Sequence, residues 1–383
     1  VKVPLLDLKA QLQPLSDEIH AAVAEVINST TYIMGPKVEE LEQRLAEYCG
    51  VKHCIGVSSG TDALLVGLMA LEIKPGDIVI TTPYSFFASA GVVARLGGTP
   101  MLVEIDSLTF NMDPEALRQW FVKNSDKISR VKAIIPVHLF GQAANMDPIM
   151  EIARQYGIPV IEDTCQAIGT TYPSKNGTKV VGGIGLMGSL SFFPSKNLGG
   201  IGDGGMVTCN DDAFADKVRK LRNHGAHPKY YHSLIGGNFR LDPIQAAVLL
   251  VKLPHLNNWH SARRDNAHYY DENLHVPGLA KPNAVYGRQH HIYNQYVVTV
   301  PNRRDELRNF LNQNNIGNEV YYPVPFHLQE CFQYLGYKQG DFVKSEHGAQ
   351  HSIALPIYPE LTHEMQDQVI AKIVEFYSLA PRP

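Results

Sequence analysis

Charge is scarce in this chain. Of its 383 residues 19% are charged, below the roughly 25% of an ordinary soluble domain, and 34 Lys plus Arg against 38 Asp plus Glu leave a net charge of −4. Without excess positive charge, bulk binding of nucleic acid or of an anionic membrane is excluded, so any anion has to be held by local groups. Long apolar runs are missing as well. None approaches the roughly 18 residues of a membrane-spanning helix, and no charged-then-apolar leader is visible. Cysteine is sparse and odd in number, scattered as Cys49, Cys54, Cys165, Cys209 and Cys331. That usage suits reduced thiols in a cytoplasm rather than a disulfide framework, and Cys49 with Cys54 lacks the second pair a zinc site needs. Modest histidine clusters (His224, His227, His232, and His290, His291) read as solvated or supporting residues, and no metal is expected. Tandem repeats and low-complexity segments are absent.

What is present is apolar residue, 44% of the chain, enough for one sizeable core and a satellite. The length suggests two or three domains. From about residue 50 to 210, short β-rich runs alternate with amphipathic helical windows: strands at His53–Val57, Asp77–Thr81, Thr99–Val103, Ala133–Val137 and Pro159–Ile161, helices at Thr61–Leu71, Phe86–Leu96, Pro114–Val122 and Met146–Tyr156. Nearly continuous apolar strands alternating with helices predict an α/β domain with a mostly parallel sheet covered on both faces. Ser189–Phe193 and Met206–Cys209 read as a hairpin closing the sheet edge. A helix at Leu241–Leu253, interrupted by Pro254, resumes toward Asn273. The remainder predicts a small α+β domain with strands at Tyr293–Val300 and near Val320 and helices at Arg304–Asn312 and His363–Tyr377. The expected division is 1–250 and 251–383, with a mostly helical stretch before residue 50.

Two glycine patterns, Gly183-Gly185-Gly188 and Gly200-Gly202-Gly205, have the spacing of a dinucleotide loop. Both precede strands, whereas that loop has to open a helix, so they read as tight turns and places of close backbone approach. Ser58 to Ala63 is a better anion site, because it follows a strand and opens a helix whose first N–H groups, at Gly60 and Thr61, are free for a phosphate. An ordinary N-cap by Ser59 or Thr61 is the competing reading.

Asp163 stands at the C-terminal end of a buried-looking strand, the edge where open α/β sheets gather ligands. Lys196 follows a strand among apolar and glycine residues, surroundings that lower an amine pKa as a Schiff-base nucleophile requires. An aspartate for a pyridinium nitrogen and a lysine for an aldehyde are the two groups that pyridoxal phosphate (PLP) demands.

At these residues the chain resembles the DegT-type nucleotide-sugar aminotransferases, PLP enzymes of the aspartate-aminotransferase fold. The matching stretches are Ser59 to Leu64, Pro136 to Gln142, Glu162 to Gln166, Ser191 to Leu198, Gly202 to Gly205, Asn238 to Asp242, Tyr322 to Pro325 and Leu355 to Pro359. The resemblance implies that Lys196 carries the cofactor and shuttles the proton, and that Asp163 holds the pyridine nitrogen protonated. It implies further that Gln166 contacts the phenolic oxygen and that Phe87 stacks on the ring, with Phe86 as plain core the competing assignment nearby. The phosphate would be held by Gly60, Thr61, Ser191 and, from the partner of a homodimer, Asn238.

The run from Lys196 through Asp203 is similar to members that aminate C-3 of the sugar. The implied reaction is transamination of a dTDP- or UDP-linked keto-hexose with L-glutamate as donor, by way of pyridoxamine phosphate (PMP). Arg240, Tyr321, Tyr322, His224 and His327 are the candidate substrate contacts, a salt bridge to Asp242 being the alternative for Arg240. A sugar dehydrase is one competing function; Lys196 argues against it, since dehydrating relatives carry histidine there. A non-catalytic regulator on the same fold is the other.

Overall fold

A computed structural model describes residues 2–379. Its strands are β1 (His53–Val57), β2 (Ile78–Thr81), β3 (Thr99–Leu102), β4 (Val131–Ile134), β5 (Ile161–Asp163), β6 (Thr171–Ser174), β7 (Gly177–Val180), β8 (Met187–Ser191), β9 (Gly205–Cys209), β10 (Tyr296–Thr299) and β11 (Ser352–Leu355). The helices are α1 (Leu8–Leu12), α2 (Ser16–Ser29), α3 (Pro36–Cys49), α4 (Gly60–Ala70), α5 (Ala88–Arg95), α6 (Pro114–Lys123), α7 (Met146–Tyr156), α8 (Asp212–Arg222), α9 (Pro243–Lys252), α10 (Leu256–Asn273), α11 (Arg304–Gln313), α12 (Val343–His351) and α13 (His363–Ser378).

Two ladders, β1-β9-β8-β5 and β3-β2-β4, are joined by parallel bridges from Ile134 to Val160 and from Val137 to Asp163. The resulting sheet is parallel except for β9, which runs against both β8 and β1. The β8–β9 pair therefore does not close the edge as the sequence suggested. An antiparallel β9 leaves its second hydrogen-bonding edge open, and β1 takes it in register from His53 opposite Cys209 to Val57 opposite Gly205. Helix α4 lies at the centre of the core, with Ala63, Leu64, Val66 and Leu68 fully buried against Ile55, Val79, Ile161 and Val207. A helix buried nearly all round needs no polar face, which is why it reads apolar throughout.

A second core gathers Tyr270, Tyr296, Val298, Leu307, Leu311, Ile353, Leu355, Val369 and Ile373 around the antiparallel β10–β11 pair. Helix α10 spans the two, with Leu256 packed among α3 and α9 residues and Tyr270 in the second core. The N-terminal stretch also reaches both: Val3 bridges Ile316, while α2 and α3 pack on α9. The strand expected near Val320 is reduced to one bridge, Glu319 to Ala354, because the chain turns there toward Pro323, which has no N–H to donate. Helices α8 and α12 and strands β6, β7 and β11 come in addition to the expected elements.

The centre of the sheet is fixed by a buried carboxylate. Glu162 on β5 is wholly buried and accepts from His138 Nε2 (2.9 Å) and from the backbone N–H groups of Gly182, Ile184 and Gly185 (2.8, 2.7 and 2.7 Å). His138 Nδ1 in turn accepts from Ala144 N–H at 2.9 Å, which leaves Nε2–H to face the carboxylate. Of the first glycine pattern, Gly185 supplies one of these donors, and Gly188 allows the close approach of Gly182, which supplies another. Exchanging the carboxylate for an amide sets an NH2 against donors. Glu162→Gln is expected to lose about 3 kcal/mol of stability, read as a lowered denaturant midpoint with unchanged secondary-structure content at low denaturant.

Candidate active site

A cavity of about 460 Å³ opens at the C-terminal ends of β5 and β8 and the N-terminus of α4. Gly60, Thr61, Asp163, Gln166, Ser191, Lys196, Tyr321 and Tyr322 all line it, so eight of the residues singled out in the sequence converge on one space.

At one end stands Asp163, 4% exposed, where β5 ends. Its Oδ2 accepts from the Ser89 hydroxyl at 2.7 Å and its Oδ1 from the Cys165 N–H at 3.2 Å, so the carboxylate is oriented from both sides. Lys196 lies in the turn after β8, within electrostatic reach of Asp163 and Cys165, and its amine has no hydrogen-bond or ion-pair partner among the described residues. Burial lowers its pKa below the usual lysine range, while the nearby Cys165 and Asp163 act in the opposite sense. Gln166 is held at both amide ends: Oε1 accepts from Phe140 N–H at 2.8 Å, and Nε2 donates to the Tyr322 hydroxyl at 2.7 Å. One N–H of Nε2 remains to meet an oxygen in the cavity.

At the other end, Ser59 caps α4 by accepting from Asp62 N–H, so the ordinary N-cap exists. It still leaves the N–H groups of Gly60 and Thr61 without partners among the described residues, with Ser191 beside them. This approach requires glycine. A Cβ at Gly60 would stand 2.7 Å from Cys165 Sγ and 2.8 Å from Ser191 Cβ, and one at Gly205 would meet the Ser59 carbonyl at 2.3–2.4 Å. Of the second glycine pattern, Gly205 packs the helix N-terminus against a strand end, while Gly200 and Gly202 make room for the Gln245 side chain. An amine nucleophile, an oriented carboxylate and a set of phosphate donors at the opposite end form a donor set that fits PLP.

Two expectations are corrected. Phe87 turns away from the cavity and stacks on Phe332 at 5.4 Å, whereas Phe86, 59% exposed, lines the cavity, so the aromatic wall belongs to Phe86. His327 is 1% exposed and bound to Glu346 at 2.9 Å, which removes it from the substrate contacts. Three further residues, His224, Asn238 and Arg240, lie outside this chain's own cavity; His224 and Asn238 are exposed, and Arg240 donates to Asn223 Oδ1 at 2.8 Å instead of pairing with Asp242. The sequence reading passed over Ser89, an unremarkable residue on a helix that becomes significant only when α5 is laid beside β5. Forcing a side chain into the α4 contact tests the anion site. Gly60→Ala is expected to weaken PLP binding at least tenfold, measured by equilibrium titration of the cofactor-free protein, and to lower the melting temperature, because the added methyl displaces Cys165 and Ser191.

The DegT/DnrJ/EryC1/StrS aminotransferase family model matches residues 13–374. Among curated proteins the chain is 46% identical to a pleiotropic regulatory protein of Geobacillus stearothermophilus, covering 98% of this chain and 99% of that one. It is 40% identical to the UDP-N-acetyl-3-dehydro-alpha-D-glucosamine 3-aminotransferase of Acidithiobacillus ferrooxidans, over 94% of each chain. Among solved structures, that of Bacillus subtilis NtdA with bound cofactor PMP superposes with a TM-score of 0.88 at 30% identity, covering 99% of this chain and 86% of that one. With a family match over nearly its whole length and a cavity whose donor set fits the cofactor, the chain belongs to the DegT/DnrJ/EryC1/StrS family of PLP-dependent aminotransferases.

Proposed function

We propose that this protein aminates C-3 of a nucleotide-linked keto-hexose, dTDP- or UDP-linked, with L-glutamate as the amino donor. The observation that carries the reading is the unpartnered Lys196 amine beside the doubly oriented Asp163 carboxylate, in a cavity that ends on the free N–H groups of α4. A regulator that only binds ligand has no use for a free amine held in that position.

PLP, when bound, supplies an electron sink for the charge left as a proton leaves the carbon bearing the amine. Asp163 presents a carboxylate to the ring nitrogen, and Ser89 keeps it from rotating. Lys196, its pKa lowered by burial, accepts the proton and returns it to the neighbouring position. Gly60, Thr61 and Ser191 would hold the phosphate, Phe86 would lie against the ring, and Gln166 would offer its remaining N–H to the phenolic oxygen. Tyr321, Tyr322 and Asp203 also line the cavity and are the proposed sugar contacts.

The working unit is a homodimer in which Asn238, His224 and Arg240 serve the partner's cavity. Supporting this, the loop that carries them also exposes Tyr230 (79%), Tyr231 (72%) and Ile235 (93%), an apolar group that favours being covered. The proposed division is residues 1–250 for the cofactor and 251–383 closing over the substrate. The setting is the cytoplasm, in keeping with five free cysteines.

Lys196→Ala is expected to abolish the visible absorbance of the holoenzyme and all turnover, and persistent amination of a 3-keto-sugar nucleotide by this variant would refute the reading. The Asp163 charge raises the Lys196 pKa, so its removal has a defined sign. In Asp163→Asn the pH profile for PLP capture is expected to shift its midpoint to lower pH, while cofactor affinity and proton-transfer rate fall; a midpoint that stays or rises contradicts the proposed pairing.

A further inference from the structure

Next to the cofactor cavity is a side chamber of about 110 Å³ that the mechanism above does not use. Ser195, Gln295 and Tyr321 line both spaces, and Ser195 is the chain neighbour of Lys196. The far wall carries Arg263 from α10, together with Leu6, Ala354, Leu355 and Ile357. Leu355 and Ile357 belong to the Leu355 to Pro359 stretch, which stood out in the sequence without acquiring a role.

Arg263 is 2% exposed. Its Nη1 donates to three backbone carbonyls, Tyr293 at 3.0 Å, Asn294 at 3.4 Å and Ile357 at 2.9 Å. Its Nε is buried without a partner, and no bond from Nη2 is formed among the described residues. Nε and Nη2 form the guanidinium edge that grips a carboxylate with two parallel hydrogen bonds. No carboxylate of the described residues pairs with it; Glu360 is within electrostatic reach without an ion pair. Burial pushes its pKa down to about 10, so the group keeps its charge at neutral pH. A buried, charged arginine with carbonyls on one nitrogen and an unused two-donor edge is poised for an anion.

We propose that this chamber is the subsite for the side-chain carboxylate of the dicarboxylic amino donor, with Arg263 as its ligand. The volume has room for a carboxyl group and a methylene or two, and too little for a sugar ring. The chamber meets the main cavity at Ser195, the chain neighbour of Lys196, so a donor whose amine reacts beside Lys196 can extend its side chain into it. The donor and the keto-sugar then share the cofactor cavity in turn, and only the donor enters the side chamber.

The inference rests on the aminotransferase reading, and the two half-reactions of the holoenzyme separate their failures. Bleaching of the PLP band by L-glutamate reads the donor half, and its recovery with a 3-keto-sugar nucleotide reads the acceptor half. Arg263→Lys, which can keep the carbonyl contacts, is expected to raise the glutamate concentration for half-maximal bleaching about 30-fold or more, to weaken glutarate inhibition equally, and to leave the sugar half within twofold. Leu6→Trp, which adds bulk at the chamber wall and leaves Arg263 itself in place, is expected to do the same and decides the matter if Arg263→Lys does not fold. Equal losses in both halves, or an unchanged glutamate dependence in either folded variant, overturn the proposal. A wild-type holoenzyme that glutamate does not bleach overturns the function reading itself and the proposal with it.

Discussion

Two carboxylates stand side by side at the end of one strand, and the site depends on how each is satisfied. Successive residues of β5 face opposite ways, so Glu162 points into the sheet's packing and Asp163 into the cavity. A buried carboxylate is costly unless it is hydrogen-bonded. Glu162 meets that requirement with His138 and three backbone N–H groups, and in doing so locks β5 to the Gly182–Gly185 loop and to the segment after β4. With the strand fixed, Asp163 has one direction available, and Ser89 and the Cys165 N–H hold it there. The lysine turn is anchored by similar means: the buried Lys252 amine donates to the Gly199 carbonyl at 2.7 Å, and Asn197 accepts from Asn294 at 2.6 Å.

Much of this was legible in the sequence, and what was missed follows a physical pattern. Strands β1, β2 and β3 and helices α4 and α7 announced themselves through local periodicity, and the phosphate end through a strand, a glycine and a helix start in succession. Sheet order is not local. Nothing within His53–Val57 says that it pairs with a strand some 150 residues on, so the β8–β9 pair was given the edge that β1 takes. The Phe86–Phe87 pair illustrates the same limit at the scale of one side chain. Adjacent aromatics point different ways, and the contact of Phe87 with Phe332, far along the chain, is not written in the local sequence. His327 looked like a ligand because its partner, Glu346, arrives from a helix that the sequence reading did not anticipate.

The low net charge takes on a specific meaning in this light. At −4 the molecule presents no general attraction for polyanions, yet its proposed ligands are a phosphate, a diphosphate and a dicarboxylate. Each is assigned to a local device: helix N–H groups at Gly60 and Thr61, loop residues reaching across a dimer, and the unused edge of Arg263. Devices of this kind select for shape as well as charge, which an electropositive surface does not do.

In the proposed reaction, Lys196 and Asp163 work a cofactor that passes an amino group from glutamate to a keto-sugar nucleotide. One spectrophotometric experiment on the PLP-loaded protein tests it directly. L-glutamate added without acceptor is predicted to bleach the visible band and release one equivalent of 2-oxoglutarate per chain, and a UDP- or dTDP-linked 3-keto-hexose is then predicted to restore the band. A band that glutamate leaves intact, or that no such sugar nucleotide restores, would contradict the account.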